Sequence, residues 1–206
     1  MGKHRARDGG ATDFDAATTA LPDVTGDYTV DVVHTRIGVR ARHAMVTTVR
    51  GAFTGFTGTA HLDTAKPAAS SVQLRIDAAS IDTTNPDRDA HLRSADFFDV
   101  ETYPDIAFVS TAVEQLESDV FRVTGDLTIK GVTRPVAVDF TLTGSALDPF
   151  GNLRVGFEGA LALKRSDWQL TWNAALETGG VLVSDKIQIE FDVSAIKTPD
   201  LPGASS

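Results

Sequence analysis

From Tyr28 onward, apolar and polar residues alternate, and the alternation returns in run after run almost to the end of the chain. Tyr28, Val30 and Val32 alternate with polar neighbours. Ile37, Val39, Ala41 and His43 fall on one face, with Arg36, Arg40 and Arg42 on the other. The same period governs Val72, Leu74 and Ile76, then Ile106, Phe108 and Ser110. It continues through Phe121 and Val123, past Gly125, to Leu127 and Ile129, and through Val136, Val138, Phe140 and Leu142. Val155, Phe157, Gly159, Leu161 and Leu163 follow, and Ile187, Ile189, Phe191 and Val193 close the series. A period of two turns one side of each run toward a shared interior and the other toward water, the pattern of antiparallel strands.

The connections agree with that reading. Lys130 to Pro135 reads as a hairpin turn with Pro135 opening the next strand, and Asp148 to Asn152 reads as another turn. Gly51, Gly55 and Gly58 interrupt a strand that carries Phe53 and Phe56, and such glycines mark the bends of a sheet that curls on itself. About eight hairpin-linked strands imply an all-β, antiparallel, closed or nearly closed barrel, wide enough for one small ligand. A two-sheet sandwich of the immunoglobulin type is the alternative.

One stretch breaks the period, from Thr83 to Pro104. Pro86 suits a first helical position with Asn85 or Thr84 as the cap, and Asp87 and Asp89 sit where a helix dipole favours negative charge. Asp96 is expected to cap a second turn carrying Phe97 and Phe98, and Tyr103-Pro104 ends the segment. The spacing thus predicts a helical insert over about residues 85–100, laid across one end of the barrel. Trp168 and Trp172 are four apart, so a short helical turn near 166–172, capped by Ser166, places them on one face.

Composition narrows the function classes. A formal net charge of -9 argues against nucleic acid and anionic membrane surfaces as partners. With no cysteine there are no disulfides, thiolate metal sites or cysteine nucleophiles. Residues 1–24 read as a disordered tail, 25–198 as one barrel domain and 199–206 as a loose C-terminal tail. No apolar run follows Lys3, Arg5 and Arg7, so no signal peptide is expected and a cytoplasmic location is. Ala6 stands where a myristoylation motif wants Ser or Thr, and no apolar segment has the length of a membrane-spanning helix, so no stable membrane insertion is expected.

Three separated stretches resemble the signatures of the YceI-like family. The first is Arg88 to Asp99, RDAHLRSADFFD, followed by Tyr103-Pro104 and Phe108-Val109-Ser110. The second is Gly125 to Val136, GDLTIKGVTRPV, and the third is Arg165-Ser166-Asp167-Trp168, where a phenylalanine is more usual than Trp168. Gly26 to Asp31, with His34-Thr35, His43, Gly51-Ala52-Phe53 and Phe56-Thr57-Gly58, resembles the family's opening, so the resemblance runs from about Gly26 to Ile196. It implies a lipocalin-like barrel that holds a polyisoprenoid in a deep tunnel, with no known catalytic residues. It also makes a homodimer the expected assembly.

An isoprenoid lipid or isoprenoid quinone, stored or transported, is therefore the expected ligand, with no separate cofactor. Each buried methylene of such a guest is worth about 0.8 kcal/mol. The residues expected to contact it are Val39, His43, Phe53, Phe56, Phe97, Phe98, Phe108, Leu127, Ile129, Phe140, Phe157 and Trp168. Arg88, Asp89 and His91 lie within one helical turn and either serve a polar mouth or anchor the insert, with anchoring favoured because buried polar groups demand partners. Two rivals remain open. One is a small barrel enzyme acting on an apolar substrate, and the other is an interaction module with a packed core. No nucleophile elbow, phosphate loop or zinc spacing is present, and His34 and His43, nine apart, face opposite ways on one uninterrupted strand, so neither catalytic residues nor a metal is assigned.

Overall fold

The computed structural model describes residues 23–44, 46–177 and 180–199. Of the tails expected at 1–24 and 199–206, residues 1–22 and 200–206 lie outside them. Val24 is described, buried and packed in the barrel with Tyr28 and Leu142.

Among the described residues, eleven strand segments form one antiparallel sheet. They are β1 (Gly26–Val30), β2 (Arg36–His43), β3 (Thr47–Phe53), β4 (Phe56–Leu62), β5 (Ser71–Asp77), β6 (Ile81–Asp82), β7 (Asp105–Gln115), β8 (Val120–Ile129), β9 (Val132–Leu147), β10 (Leu153–Lys164) and β11 (Val183–Lys197). Three pairs act as single broken strands. Both β1 and β2 lie along one edge of β11, with Val30 opposite Ala195 and Ile37 opposite Phe191. Across from them, β4 pairs with β1 and β3 with β2. On the next strand β5 pairs with β4 and β6 with β3. The eleven segments therefore make eight barrel strands, closed where the first meets the last. Closure removes the unpaired edges that an open sandwich would leave.

The break between β3 and β4 falls at Thr54-Gly55, where the glycines predicted a bend. Gly51 is required there by close approach, because a Cβ would sit 2.8 Å from the Asp82 carbonyl oxygen. The β8–β9 turn is tighter than expected. Ile129 pairs directly with Val132, and Lys130 and Gly131 both have positive φ (48° and 72°), a two-residue hairpin. Pro135 does not open β9 but lies inside it, opposite Asp126.

The helix α1 spans Pro86–Arg93, capped by the Asn85 side chain, which accepts from the Arg88 backbone N–H at 3.0 Å. The second turn, over 95–98, carries Phe97 and Phe98 but is not helical. Ser94 ends the helix, and the Phe97 and Asp99 N–H groups both return to the Ser94 carbonyl, at 3.1 and 2.8 Å. Asp96 caps nothing and instead meets the His91 ring at 3.0 Å. Near residue 166 the helical turn is a short 3-10 turn, Arg165–Trp168, stopped by Gln169 at φ 60°. The tryptophans therefore do not share a helical face. Nor does Ser166 cap the turn, since its N–H and hydroxyl both go to the Asp185 carboxylate.

These pieces give the barrel two unlike ends. The insert, the Arg165–Trp168 turn and the β2–β3 and β8–β9 turns gather at one, the cap end. The β4–β5 loop, the β7–β8 and β9–β10 turns and the lead-in at Val24 gather at the other, the loop end.

Candidate ligand tunnel

The inward side chains do not fill the barrel. Ile187, Ile189, Phe191 and Val193 all point inward from β11, yet each is only half-buried. What they face is an internal tunnel, through which the centre of a water molecule has about 210 Å³ to move. One ordered water needs only ~10–15 Å³ on that measure. The lining is almost wholly aliphatic and aromatic, from Val24, Tyr28 and Leu62 at the loop end to Phe98, Ile129 and Leu170 at the cap end. Among the described residues, Tyr28 and Asp63 are its only ionisable side chains. The Tyr28 hydroxyl donates to the Val24 carbonyl at 2.8 Å, and burial raises its pKa. Asp63 accepts from the Lys66 N–H at 2.8 Å.

Of the residues expected at a ligand site, Val39, Phe53, Phe98, Phe108, Leu127, Ile129, Phe140 and Phe157 line this tunnel. The others do not. His43 is exposed, because the inward face of β2 runs past the cap end of the tunnel after Val39. Phe56 is buried in the wall of the barrel rather than on the tunnel surface. Phe97 packs under the insert, its ring centroid 5.1 Å from that of His91 and 5.4 Å from that of Trp172. Trp168 lies behind the tunnel floor at 3% exposure, and its Nε1–H donates to the Leu127 carbonyl at 3.1 Å. The two adjacent phenylalanines thus divide the work: Phe98 faces the tunnel and Phe97 the cap.

Arg88, Asp89 and His91 also lie off the tunnel. Asp89 is buried and accepts the Thr83 N–H at 2.9 Å and the Thr83 hydroxyl at 2.5 Å. Arg88 donates to the Thr83 hydroxyl and carbonyl, both at 2.7 Å. Together they fasten the start of α1 to the residue after β6, the anchoring role. Arg88 belongs to a larger set of cations that hold the cap by donating to backbone carbonyls. Arg93 donates to Ala79 and Ile81, Lys130 to Ala95, and Arg134 to Asp167. Arg165 is 5% exposed and donates to the carbonyls of Leu170, Val183 and Ser184. Burial lowers its pKa from the usual arginine value. Charge-assisted bonds of this kind are roughly twice as strong as neutral ones.

The loop end is held differently. The Thr64 hydroxyl accepts from the Val24 N–H, the Thr25 hydroxyl from the Thr64 N–H, and the Ser70 hydroxyl from the Asp63 N–H, at 3.1, 3.1 and 2.9 Å. Among the described residues, a cation also donates to a main-chain carbonyl here, Lys197 to Thr25 at 2.6 Å. Outside the wall, Arg154 bridges Asp31 and Asp148, and His34 meets Asp31 at 2.7 Å. The bond from Arg154 holds Asp31 at a pKa of about 2; bonds from Asn152, with Arg154 adding to them, hold Asp148 at about 2.

Sequence reasoning missed part of the lining. Ile187, Ile189, Phe191 and Val193 were visible as one face of the clearest strand, and their period was the available signal. Leu62, Thr64, Ser70 and Leu170 carried no such signal, since they sit in or beside loops. The histidines do not converge either. His34, His61 and His91 meet three different aspartates, Asp31, Asp27 and Asp96.

A closed antiparallel barrel of eight strands around a continuous apolar tunnel, capped at one end, defines a barrel of the lipocalin-like class. Sequence comparison gives the narrower assignment. The YceI-like domain matches residues 28–195, and the chain belongs to the YceI-like family. It is 39% identical to the protein YceI of Escherichia coli O157:H7 over 149 residues, covering 71% of this chain and 78% of that one. Among solved structures, BcnA of Burkholderia cenocepacia superposes with a TM-score of 0.71 at 31% identity, over 80% of this chain and 98% of that one. A polyisoprenoid-binding domain from Saccharophagus degradans shares the fold, with a TM-score of 0.64 at 18% identity, over 83% and 98% of the two chains.

Proposed function

We propose that this protein binds one long apolar chain of the polyisoprenoid class in its tunnel, as a carrier or store rather than as a catalyst. The observation that carries the reading is the half-exposure of inward Ile187, Ile189, Phe191 and Val193, apolar surface that the barrel's other side chains cover only in part. A guest would cover that surface at about 0.8 kcal/mol per buried methylene, before ordering costs. The polyisoprenoid-binding neighbour in the same fold supports the class of guest. The unfilled barrel axis speaks against a packed interaction module. Against an enzyme stands the lining, where both ionisable groups already have partners and a guest would meet hydrocarbon.

The polar end of the guest belongs at the loop end, where Asp63, Thr64 and Ser70 reach the lining. An isoprenoid quinone meets the same requirement as a prenyl alcohol, an apolar tail with a modest polar head. A homodimer and a cytoplasmic location complete the proposal. The first rests on family likeness; sedimentation and cell fractionation test them. Native mass spectrometry of the purified protein, followed by solvent extraction, tests the main reading. A stoichiometric guest with isoprene-unit mass spacing is expected. A protein that emerges empty and takes up no prenyl chain when offered one would sink the proposal.

A further inference from the structure

We infer that the tunnel is blind at the cap end and that Phe98 is its stop, so that this one side chain sets the prenyl length at which binding stops improving. The inference rests on the lipid-binding reading above. At the cap end the lining finishes with Phe53, Phe98 and Leu170. Behind them lies a packed apolar layer that includes Ile81, Leu92, Val100, Leu163 and Trp168. None of these five touches the tunnel. Phe98 is the insert's contribution to the floor, and its ring meets that of Phe53 edge-on at 5.9 Å.

The stop is rigid. The Phe98 N–H returns to the Leu92 carbonyl at 3.0 Å, and the Val100 N–H to the Arg93 carbonyl at 3.1 Å. Asp99 between them holds φ at 51°, a conformation that fixes the direction of Phe98. The flanking segments are tied to the barrel by Arg93 and Lys130. Among the described residues, the buried cluster at the loop end is made of tunnel-lining residues, Val24, Tyr28, Leu142, Val155 and Ala195, with no such layer behind it. A chain longer than the tunnel would emerge there, between Val24 and the 63–70 loop.

Two regimes of binding follow. Below the filling length, each added isoprene unit buries new methylenes and raises affinity roughly tenfold or more. Above it, each added unit stays outside and adds nothing. The break between the regimes measures the distance from the loop end to Phe98. Replacing the phenyl ring by a methyl vacates about the volume of one isoprene unit.

The test is a ladder of prenyl alcohols of increasing length, with dissociation constants measured for the purified wild-type protein and two variants. In the wild type, affinity is expected to climb and then level. With Phe98→Ala the break is expected one unit longer, and with Phe98→Trp it is expected shorter. If Phe98→Ala does not fold, Phe98→Leu probes the same direction with an apolar side chain retained. Phe157→Ala, nearer the loop end, is expected to weaken all members of the ladder without moving the break. A break that stays in place in folded Phe98 variants overturns the inference and leaves the lipid-binding reading standing. A wild type that binds no member of the ladder overturns that reading itself.

Discussion

The two ends of this barrel solve the same problem with different bonds. Each must close an apolar tunnel with backbone that has left the sheet. The cap end does so with Arg88, Arg93, Lys130, Arg134 and Arg165, each donating to a main-chain carbonyl. Beneath them Phe97, Leu163 and Trp168 are buried and Leu92 is partly buried. The loop end relies chiefly on the hydroxyls of Thr25, Thr64 and Ser70 against main-chain N–H groups. A neutral hydrogen bond contributes about 1 kcal/mol net, and one to a charged group about 1.5–3. The difference teaches which end opens. Segments of low local stability are the ones that admit ligands, which makes the loop over 63–70 the proposed entry.

Four substitutions sharpen or break that contrast. The largest effect is expected from Arg165→Met, which leaves the Leu170 and Ser184 carbonyls without this donor, leaves Val183 to the Asn173 side-chain amide, and removes the guanidinium that lies 5.9 Å from the Phe97 ring centre. A loss of about 3 kcal/mol in urea unfolding is expected; no loss would mean that charge does not hold the cap. Asp89→Ala strands the Thr83 N–H and hydroxyl, with an expected cost of about 2 kcal/mol and faster proteolysis of the insert. Thr64→Val, at the other end, removes a single acceptor from the Val24 N–H. About 1 kcal/mol is expected, with faster guest exchange rather than weaker folding as its main signature.

The smallest effect concerns the outer wall. Asp31 and Asp148 are both held at about 2, below the usual carboxylate value of about 3.9. A depressed carboxylate stabilises the fold above its unfolded pKa and loses that contribution as pH falls through its folded one. The contribution is therefore present above pH ~4 and disappears between ~4 and ~2. Arg154→Met raises both pKa values toward normal. An acid titration followed by circular dichroism is expected to show a slightly less stable protein at neutral pH and a flatter decline below pH ~4. An unchanged profile would show the bridge to be inert.

Much of the wall was legible in the sequence, because a period of two is set by the backbone and survives any neighbour. Gly55 at the β3–β4 break and Asn85-Pro86 at the start of α1 were legible for the same local reason. The ends of the tunnel were not. His43 obeys the alternation, yet it exits the cap end where there is no longer a tunnel to face. Trp168 and Trp172 looked like one helical face until Gln169 turned the chain the other way. Val24 reads as tail, and only the Tyr28 hydroxyl and the Thr64 side chain, both set by distant pairing, bring it onto the lining. Periodicity specifies which way a side chain points and says nothing of where the cavity stops.

The most direct measurement is a crystal structure of the protein loaded with a prenyl alcohol. The hydrocarbon terminus is expected against Phe98, with the hydroxyl beside Asp63, Thr64 and Ser70 and the cap unmoved. A chain that runs the other way, or that emerges through the insert past Phe97 and Trp172, would contradict the assignment of a blind end and an open one.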